Sequence, residues 1–146
     1  MLSASLAAHA DDLFTYTQGS NVLQFTLPAS PTPISTLTEN GGYFTVSVSA
    51  TSNGVSESEL VTFYNVANSG GFDDDLYNEL GAQVYSGSES SPTFDLGTYS
   101  LTDELDAPTN ATLTITPTSV TPEPSSIALL GTGMLGVAGV MRKRLA

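Results

Sequence analysis

Apolar and polar residues alternate with a period of two in several short segments of this chain. The clearest are residues 23–27, 44–48 and 112–116, where Leu, Phe, Val or Ile alternates with Thr, Ser or Gln. Residues 13–17, 60–64, 82–85 and 98–101 show shorter versions of the pattern. Because alternate side chains of a strand point to opposite faces of a sheet, each segment is predicted to be a half-buried strand.

Clusters of glycine, proline, asparagine and serine separate these segments. They lie at residues 28–33, 40–42, 53–54, 69–71 and 86–92. These residue types favour turns, because they adopt or stabilise backbone conformations that most other residues avoid. About seven short strands joined by such turns predict one all-β domain, an antiparallel β-sandwich, over residues 11–117.

Residues 73–81 depart from this pattern and predict a short helix. Asp73, Asp74 and Asp75 would lie near its positive N-terminus, and Gly81 would end it. The same three carboxylates are an alternative candidate for a calcium site, because hard cations bind carboxylate oxygens. The segment lacks the spaced acidic residues of a calcium-binding loop, so we expect a charged helix start rather than a metal site.

The chain ends in an apolar segment, residues 125–146, that finishes with basic residues. Its apolar stretch includes Ile127, Leu129, Leu130, Gly133, Leu135, Gly136 and Met141, and Arg142, Lys143 and Arg144 follow. Positive residues beside an apolar helix stay on the cytoplasmic side of a membrane, so the body is expected outside. A helix over residues 125–141 would be about 25 Å long, slightly short of the hydrocarbon core of about 30 Å. An ordinary single-pass anchor and a buried core helix are the alternatives.

Three features of this tail occur in a fixed order: the triplet Pro122, Glu123 and Pro124, the apolar stretch, and the basic cluster. In that order they resemble the PEP-CTERM sorting signal of Gram-negative bacteria that produce extracellular polysaccharide. The resemblance implies that an exosortase, a membrane-embedded processing enzyme, recognises the triplet. It also implies that residues 142–144 stop transfer across the inner membrane. Residues 118–124 are interpreted as a proline-bounded, extended linker that carries the motif.

The first ten residues resemble the end of an export signal. Ala8 and Ala10 fit the small-x-small cleavage pattern before Asp11. A signal peptide also needs a basic segment and a longer apolar segment. Here the basic segment and most of the apolar segment are missing. Residues 1–10 are therefore interpreted as part of a signal peptide whose true start lies upstream of Met1. An alanine-rich N-terminus without a role in export is the alternative.

The body of the chain is strongly acidic. The protein has fifteen Asp and Glu residues, and since only Glu123 lies in the tail, fourteen precede Thr121 without any Lys or Arg. Affinity for nucleic acid depends on Lys and Arg, so a nucleic-acid partner is excluded. The sequence contains no cysteine, which excludes disulfides, thiol nucleophiles and thiolate metal sites.

Few residue types in the body are suited to catalysis. Outside the two terminal segments there is no His, Cys, Lys or Arg, so Ser-His, Cys-His and Schiff-base mechanisms lack their parts. Two carboxylates suffice for glycoside hydrolysis, and the candidate pairs are Glu57 with Glu59 and Asp103 with Glu104. Adjacent strand residues point to opposite faces, and Glu57 and Glu59 are placed in a serine-rich turn. No catalytic residue and no cofactor are therefore predicted.

The sequence thus predicts an exported, non-enzymatic surface or extracellular-matrix protein. It would be anchored in the inner membrane of the cell envelope before processing and then reach the cell surface or the medium, where extracellular polysaccharide is a candidate partner. A second hypothesis is a carbohydrate- or calcium-binding module that holds its ligand through the acidic loop and through Tyr16, Tyr43, Tyr64, Tyr77, Tyr85 or Tyr99. An exposed aromatic platform would distinguish it from the first hypothesis. A third is a carboxylate glycosidase, which requires two inward-facing carboxylates in a cleft.

Overall fold

The structure, a computed structural model, describes residues 11–39, 41–103 and 110–118. Within these ranges the chain forms short strands and one 3-10 helix, Val66–Asn68. The strands are β1 (Asp11–Gln18), β2 (Asn21–Pro28), β3 (Ser35–Leu37), β4 (Tyr43–Ser52), β5 (Val55–Tyr64), β6 (Phe72–Asp73), β7 (Asn78–Gly81), β8 (Tyr85–Ser88), β9 (Ser91–Phe94), β10 (Gly97–Asp103) and β11 (Ala111–Pro117). Every predicted strand segment except 82–85 lies within one of them, so the all-β class is confirmed.

The strands other than β8 and β9 form one antiparallel sheet, in the order β2-β1-β11-β10-β7-β6-β5-β4-β3. β2 also pairs with β4, through Leu23 opposite Ser52 and Gln24 opposite Thr51. This pairing closes the sheet into an eight-stranded barrel and leaves β3 outside it, paired with the first residues of β4. The predicted sandwich is therefore wrong.

The closure has a physical reason in the length of β4. Sandwiches and barrels share the alternation of inward and outward residues, so the sequence pattern does not separate them. β4 has ten residues, and its two ends pair with different strands, β3 at the start and β2 at the end. The sheet consequently closes on itself instead of dividing into two packed layers.

Asn53 extends the short seam between β2 and β4. It lies with Gly54 at the tip of the β4–β5 hairpin, and both residues have positive φ, 49° and 87°, as Asn-Gly hairpin turns require. The Asn53 N–H donates to the Val22 carbonyl at 2.8 Å, and the Val22 N–H donates to Asn53 Oδ1 at 2.9 Å. The turn predicted at residues 53–54 is confirmed, and its asparagine also helps to close the barrel.

A cluster of aromatic rings fills one half of the barrel. Phe14 of β1 stacks on Phe25 of β2 with 4.9 Å between ring centroids. Phe94 of the β8–β9 hairpin packs edge-on against Phe14 at 4.6 Å and against Phe63 of β5 at 4.9 Å. All four rings are buried, and burying a side chain of this size contributes about 1.5–3 kcal/mol. The β8–β9 hairpin therefore covers this end of the barrel with apolar surface.

The same hairpin differs from its predicted structure. Residues 82–85 are predicted to be a strand and residues 86–92 a turn, but β8 begins at Tyr85 and the turn is confined to Glu89 and Ser90. The reason is that β8 is exposed at every position after Tyr85. Serine and glycine can therefore occupy a strand there, although they are typical of turns.

The helix predicted over residues 73–81 is also wrong. β6 ends at Asp73, β7 begins at Asn78, and a tight turn joins them. Asp74 Oδ1 accepts hydrogen bonds from the backbone N–H groups of Leu76 at 2.8 Å and Tyr77 at 2.6 Å. An aspartate that bonds the backbone two and three residues ahead stabilises a turn in competition with a helix. The aspartates thus start a hairpin turn.

The barrel domain ends close to where its first strand begins. The Thr118 N–H donates to the Asp11 carbonyl at 2.8 Å. The predicted C-terminal helix over residues 125–146, the linker residues after 118 and the signal-like residues 1–10 lie outside the described residues. In the described ranges, no helix is long and apolar enough to cross a membrane.

Candidate functional site

Three acidic side chains are buried inside the barrel at the end away from the aromatic cluster. Glu59 of β5, Asp74 of the β6–β7 turn and Glu79 of β7 are 5%, 9% and 0% exposed. A buried carboxylate ordinarily needs a positive partner or several hydrogen bonds. The described ranges contain no Lys, Arg or His, so no basic side chain there neutralises these acids. Glu59, Asp74 and Glu79 are called the carboxyl cluster below.

Glu79 is held from across the barrel by Tyr16. β11 and β10 separate β1 from β7 in the sheet, yet the Tyr16 hydroxyl donates a hydrogen bond to Glu79 Oε1. Gln18 Nε2 lies 3.4 Å from the same oxygen and 3.4 Å from Asp103 Oδ2. Glu79 Oε2 is buried and has no hydrogen-bond partner in the described part of the chain. One oxygen of this carboxyl is therefore satisfied and the other is not.

Burial is the main influence on the protonation states of Glu79 and Tyr16. It is the main cause that raises the pKa of Glu79, and the nearby charges of Asp103 and Asp74 add to the rise. The hydrogen bond from Tyr16 opposes it, because it stabilises the ionised carboxylate. Burial and then Glu79 itself raise the pKa of the Tyr16 hydroxyl far above its ordinary value. Tyr16 therefore stays protonated and remains a donor to Glu79.

Residues 74–77, called the acidic turn below, fold over this end of the barrel. In the closed order of eight strands, β1 lies directly opposite β6. The Tyr77 ring lies 4.7 Å from the Tyr16 ring of β1, measured between centroids. The hydroxyl of Tyr77 forms a hydrogen bond with Ser52 of β4. The turn thus reaches from one wall of the barrel to the opposite one.

The two carboxyl oxygens of Asp74 lie in different environments. Oδ1 accepts the two backbone bonds of the acidic turn, whereas Oδ2 is buried without a hydrogen-bond partner among the described residues. Burial raises the pKa of Asp74, the backbone bonds from Leu76 and Tyr77 oppose the rise, and the neighbouring aspartates add to it. Ionised Asp74 would therefore place a negative charge inside the barrel with only one of its two oxygens hydrogen-bonded within the described residues.

Glu59 is the least satisfied of the three acids. Both of its oxygens are buried, and neither lies in hydrogen-bond geometry with a donor of the described residues. Burial is the largest cause that raises the pKa of Glu59 to about 7, and the charge of Asp74 is the next. Glu57, on the same face of β5, raises it further, since a bond between two carboxyls forms only when one is protonated. Glu59 is thus poised to titrate near neutral pH.

The residues predicted as calcium candidates do not share one environment. Asp73 is half-buried at the end of β6, where the Tyr64 hydroxyl lies 3.4 Å from its Oδ2. Asp74 points into the barrel, whereas Asp75 is exposed to solvent. No group of three or more His, Cys, Asp or Glu residues within the described ranges is arranged to hold a metal ion.

The predicted carboxylate pairs are also rearranged by the fold. Glu57 and Glu59 lie in β5 and not in a turn, so that expectation is wrong. They are two residues apart and face the same side, but Glu57 is exposed and Glu59 is buried. Asp103 ends β10 opposite Glu79, and Glu104 lies outside the described residues.

The six tyrosines named for ligand binding are all described, and none is exposed. Tyr16 and Tyr85 are buried, and the other four are half-buried. Tyr43 and Tyr64 pack against each other on the outside of the barrel with 6.1 Å between centroids and an interplanar angle of 66°. This edge-on arrangement does not present two coplanar ring faces to solvent.

An open polar hollow lies on the outer surface beside β6 and β7. It has a volume of about 230 Å³ and is lined by Tyr64, Asn68, Ser69, Asn78 and Leu80. Its lining contains no carboxyl group, so it is separate from the carboxyl cluster.

Sequence reasoning missed Glu59 and Glu79 as interior residues, although a signal for Glu59 exists. Glu59 occupies the same phase of β5 as Val61 and Phe63, both buried apolar residues. An acidic residue at an apolar phase of a strand indicates a buried carboxyl. Glu79 carries no comparable signal, because β7 has only four residues.

The sorting motif is identified by comparison with protein families. Residues 120–144 match the family model described as the PEP-CTERM protein-sorting motif. The match includes the predicted triplet, the apolar stretch and the basic cluster, so this prediction from the sequence is confirmed. The chain has no match among curated proteins or solved structures. The tail thus carries a sorting motif that indicates an exported, exosortase-sorted protein.

Proposed function

We propose that this chain is an exported, non-enzymatic surface or matrix protein whose barrel is delivered outside the cell by exosortase processing of its tail. The observation that carries the proposal is the match of residues 120–144 to the PEP-CTERM motif. The tail is held in the inner membrane with residues 142–144 inside, and the barrel stands on the outer side. After processing, the barrel reaches the cell surface or the medium.

The character of the barrel supports a structural role. Its outward positions are rich in threonine, and pairs such as Thr45 with Thr62 at 2.9 Å and Thr98 with Thr114 at 3.3 Å hydrogen-bond across neighbouring strands. Such cross-strand pairs stabilise a sheet. The two glutamates with raised pKa, Glu59 and Glu79, lie inside the barrel and not in an open cleft. A hydroxyl-rich surface that carries no basic side chain in the described ranges is compatible with a neutral polysaccharide matrix.

Replacement of the triplet 122–124 by alanines tests the proposal. In a host with an active exosortase, we expect the wild-type chain to lose its tail. The triplet variant should accumulate as a longer form in the inner-membrane fraction, because the processing enzyme no longer recognises it. Fractionation followed by immunoblotting against the barrel measures both forms.

Replacement of Ser125 and Ser126 by alanines is the matched control. These residues adjoin the motif but lie outside the triplet, so this variant should be processed like the wild type. If the triplet variant were processed and released as efficiently as the wild type, the proposed sorting route would be wrong.

A further inference from the structure

The acidic turn closes one end of the barrel although it carries groups that repel one another when charged. Its residue Asp74 faces the interior, where Glu59 and Glu79 are also buried. Four oxygens of these three carboxyls have no hydrogen-bond partner within the described residues. In the ionised state the cluster would hold three negative charges in a low-dielectric space without a counter-charge.

Within the described ranges, no side chain on a neighbouring strand carries a positive charge that could compensate the cluster. Asp103 of β10 lies opposite Glu79 in the register, and Tyr16 of β1 bonds to it. The titratable groups facing the cluster are Glu57 and Glu59 from β5, Asp73 from β6, Asp74, Asp75 and Tyr77 from the acidic turn, Glu79 from β7, Asp103 from β10 and Tyr16 from β1. Every one is a carboxyl or a phenol, and none of them can carry a positive charge.

We propose that the acidic turn is a pH-controlled gate that covers this end of the barrel while the carboxyl cluster is protonated and opens when the cluster ionises. The walls of the barrel are continuous sheet and resist movement. The acidic turn contacts these walls through the Tyr77 ring against Tyr16 and through the Tyr77 hydroxyl bond with Ser52. The hydrogen bonds at Asp74 lie within the turn itself and hold its shape. Repulsion at Asp74 therefore acts on the part of the cluster that can move most easily.

The direction of the response follows from the protonation states. A carboxyl that has a higher pKa in the closed barrel than in water stabilises the closed form at low pH, and this contribution is lost as pH rises. For Glu59 the loss extends from the ordinary value of 4.5 to about 7. The gate is expected to be closed in mildly acidic medium and to open toward alkaline pH.

Hydrogen exchange of the full 146-residue chain in mild detergent micelles tests the gate. The Asp74 N–H donates to the Tyr77 carbonyl at 2.9 Å, and the N–H groups of Leu76 and Tyr77 donate to Asp74 Oδ1. After correction for intrinsic exchange, protection of residues 74–77 should fall at least about tenfold between about pH 5.5 and pH 8.5. Protection of β1 and β11 should not change.

Two variants separate the gate from general effects of charge. Asp74→Asn keeps an oxygen that accepts the turn bonds and removes the charge, so its turn should stay protected at alkaline pH. Glu39→Gln removes an exposed carboxyl, so it should respond like the wild type. Turn protection that does not depend on pH would overturn the proposal. A simultaneous loss of protection in β1 and β11 would also overturn it. The same holds if the turn of Asp74→Asn responded to pH like that of the wild type, or if the turn of Glu39→Gln no longer responded to pH.

Discussion

Glu59→Gln is expected to remove much of the pH dependence of barrel stability. Glu59 is buried with both oxygens unpartnered among the described residues, and its pKa is raised to about 7. The folded state therefore binds its proton more tightly than the unfolded state does. Between the ordinary pKa and the folded pKa, the unfolded state releases the proton first, so the free energy of unfolding falls as pH rises. Glutamine has a similar shape and does not ionise.

The size of the effect follows from the two pKa values of Glu59. With 4.5 in the unfolded chain and about 7 in the barrel, the linkage relation gives a loss of at most about 2.5 kcal/mol between about pH 5 and pH 8.5. The buried amide of the variant adds an unfavourable contribution of its own. That contribution is the same at both pH values, so it cancels when the two changes in stability are compared.

Urea denaturation of wild type and Glu59→Gln at both pH values measures this difference. We expect the wild type to lose more stability than the variant, by up to about 2.5 kcal/mol. Glu39→Gln, at an exposed position, serves as the control and should follow the wild type. If Glu59→Gln and the wild type lost equal stability, Glu59 would be titrating normally, and the reasoning from its burial would be wrong.

Three further predictions concern the acidic turn and the glycines. Asp74→Ala should lower the free energy of unfolding by about 2 kcal/mol near pH 6, and Asp74→Asn by less, because only Asn keeps the acceptor; urea titrations measure both. Gly71→Ala should lower the free energy of unfolding by more than about 2 kcal/mol, since a Cβ there would overlap the Glu79 carbonyl oxygen. A Cβ on Gly54 would meet open space, so Gly54→Ala should lower the free energy of unfolding by only about 1 kcal/mol, because of its positive φ. Equal losses of stability in the two variants would contradict the predicted clash at Gly71. About 10 mM calcium should move the melting temperature by less than about 1 °C, and a clear rise absent from Asp74→Ala would refute this.

Local patterns in the sequence identify most of the strands but not how the sheet closes. Alternation at residues 23–27 or 112–116 depends on which side chains face the core, and a neighbouring strand does not change it. Closure depends on the pairing of Leu23 with Ser52, two residues far apart in the chain. Neither carries a local signal for that pairing, so the barrel was not distinguishable from a sandwich.

The candidate site, like the sheet, could be predicted only in part from local patterns in the sequence. Asp73, Asp74 and Asp75 stand out in the sequence, but a helix start and a hairpin turn both favour aspartate, and the choice between them depends on where β5 and β7 lie. The contact between Tyr16 and Glu79 joins residues 63 positions apart. In contrast, the sorting motif is a linear signal recognised by another protein, so the sequence alone was sufficient to predict it.

The measurement that tests the central claim most directly is the intact mass of the protein recovered from cells and from medium, with and without an active exosortase. With the enzyme, we predict a mature form that lacks residues 127–146, found at the surface or in the medium. Without it, the protein should keep its tail and stay with the inner membrane. A protein that still ends at Ala146 while the exosortase is active would contradict the account.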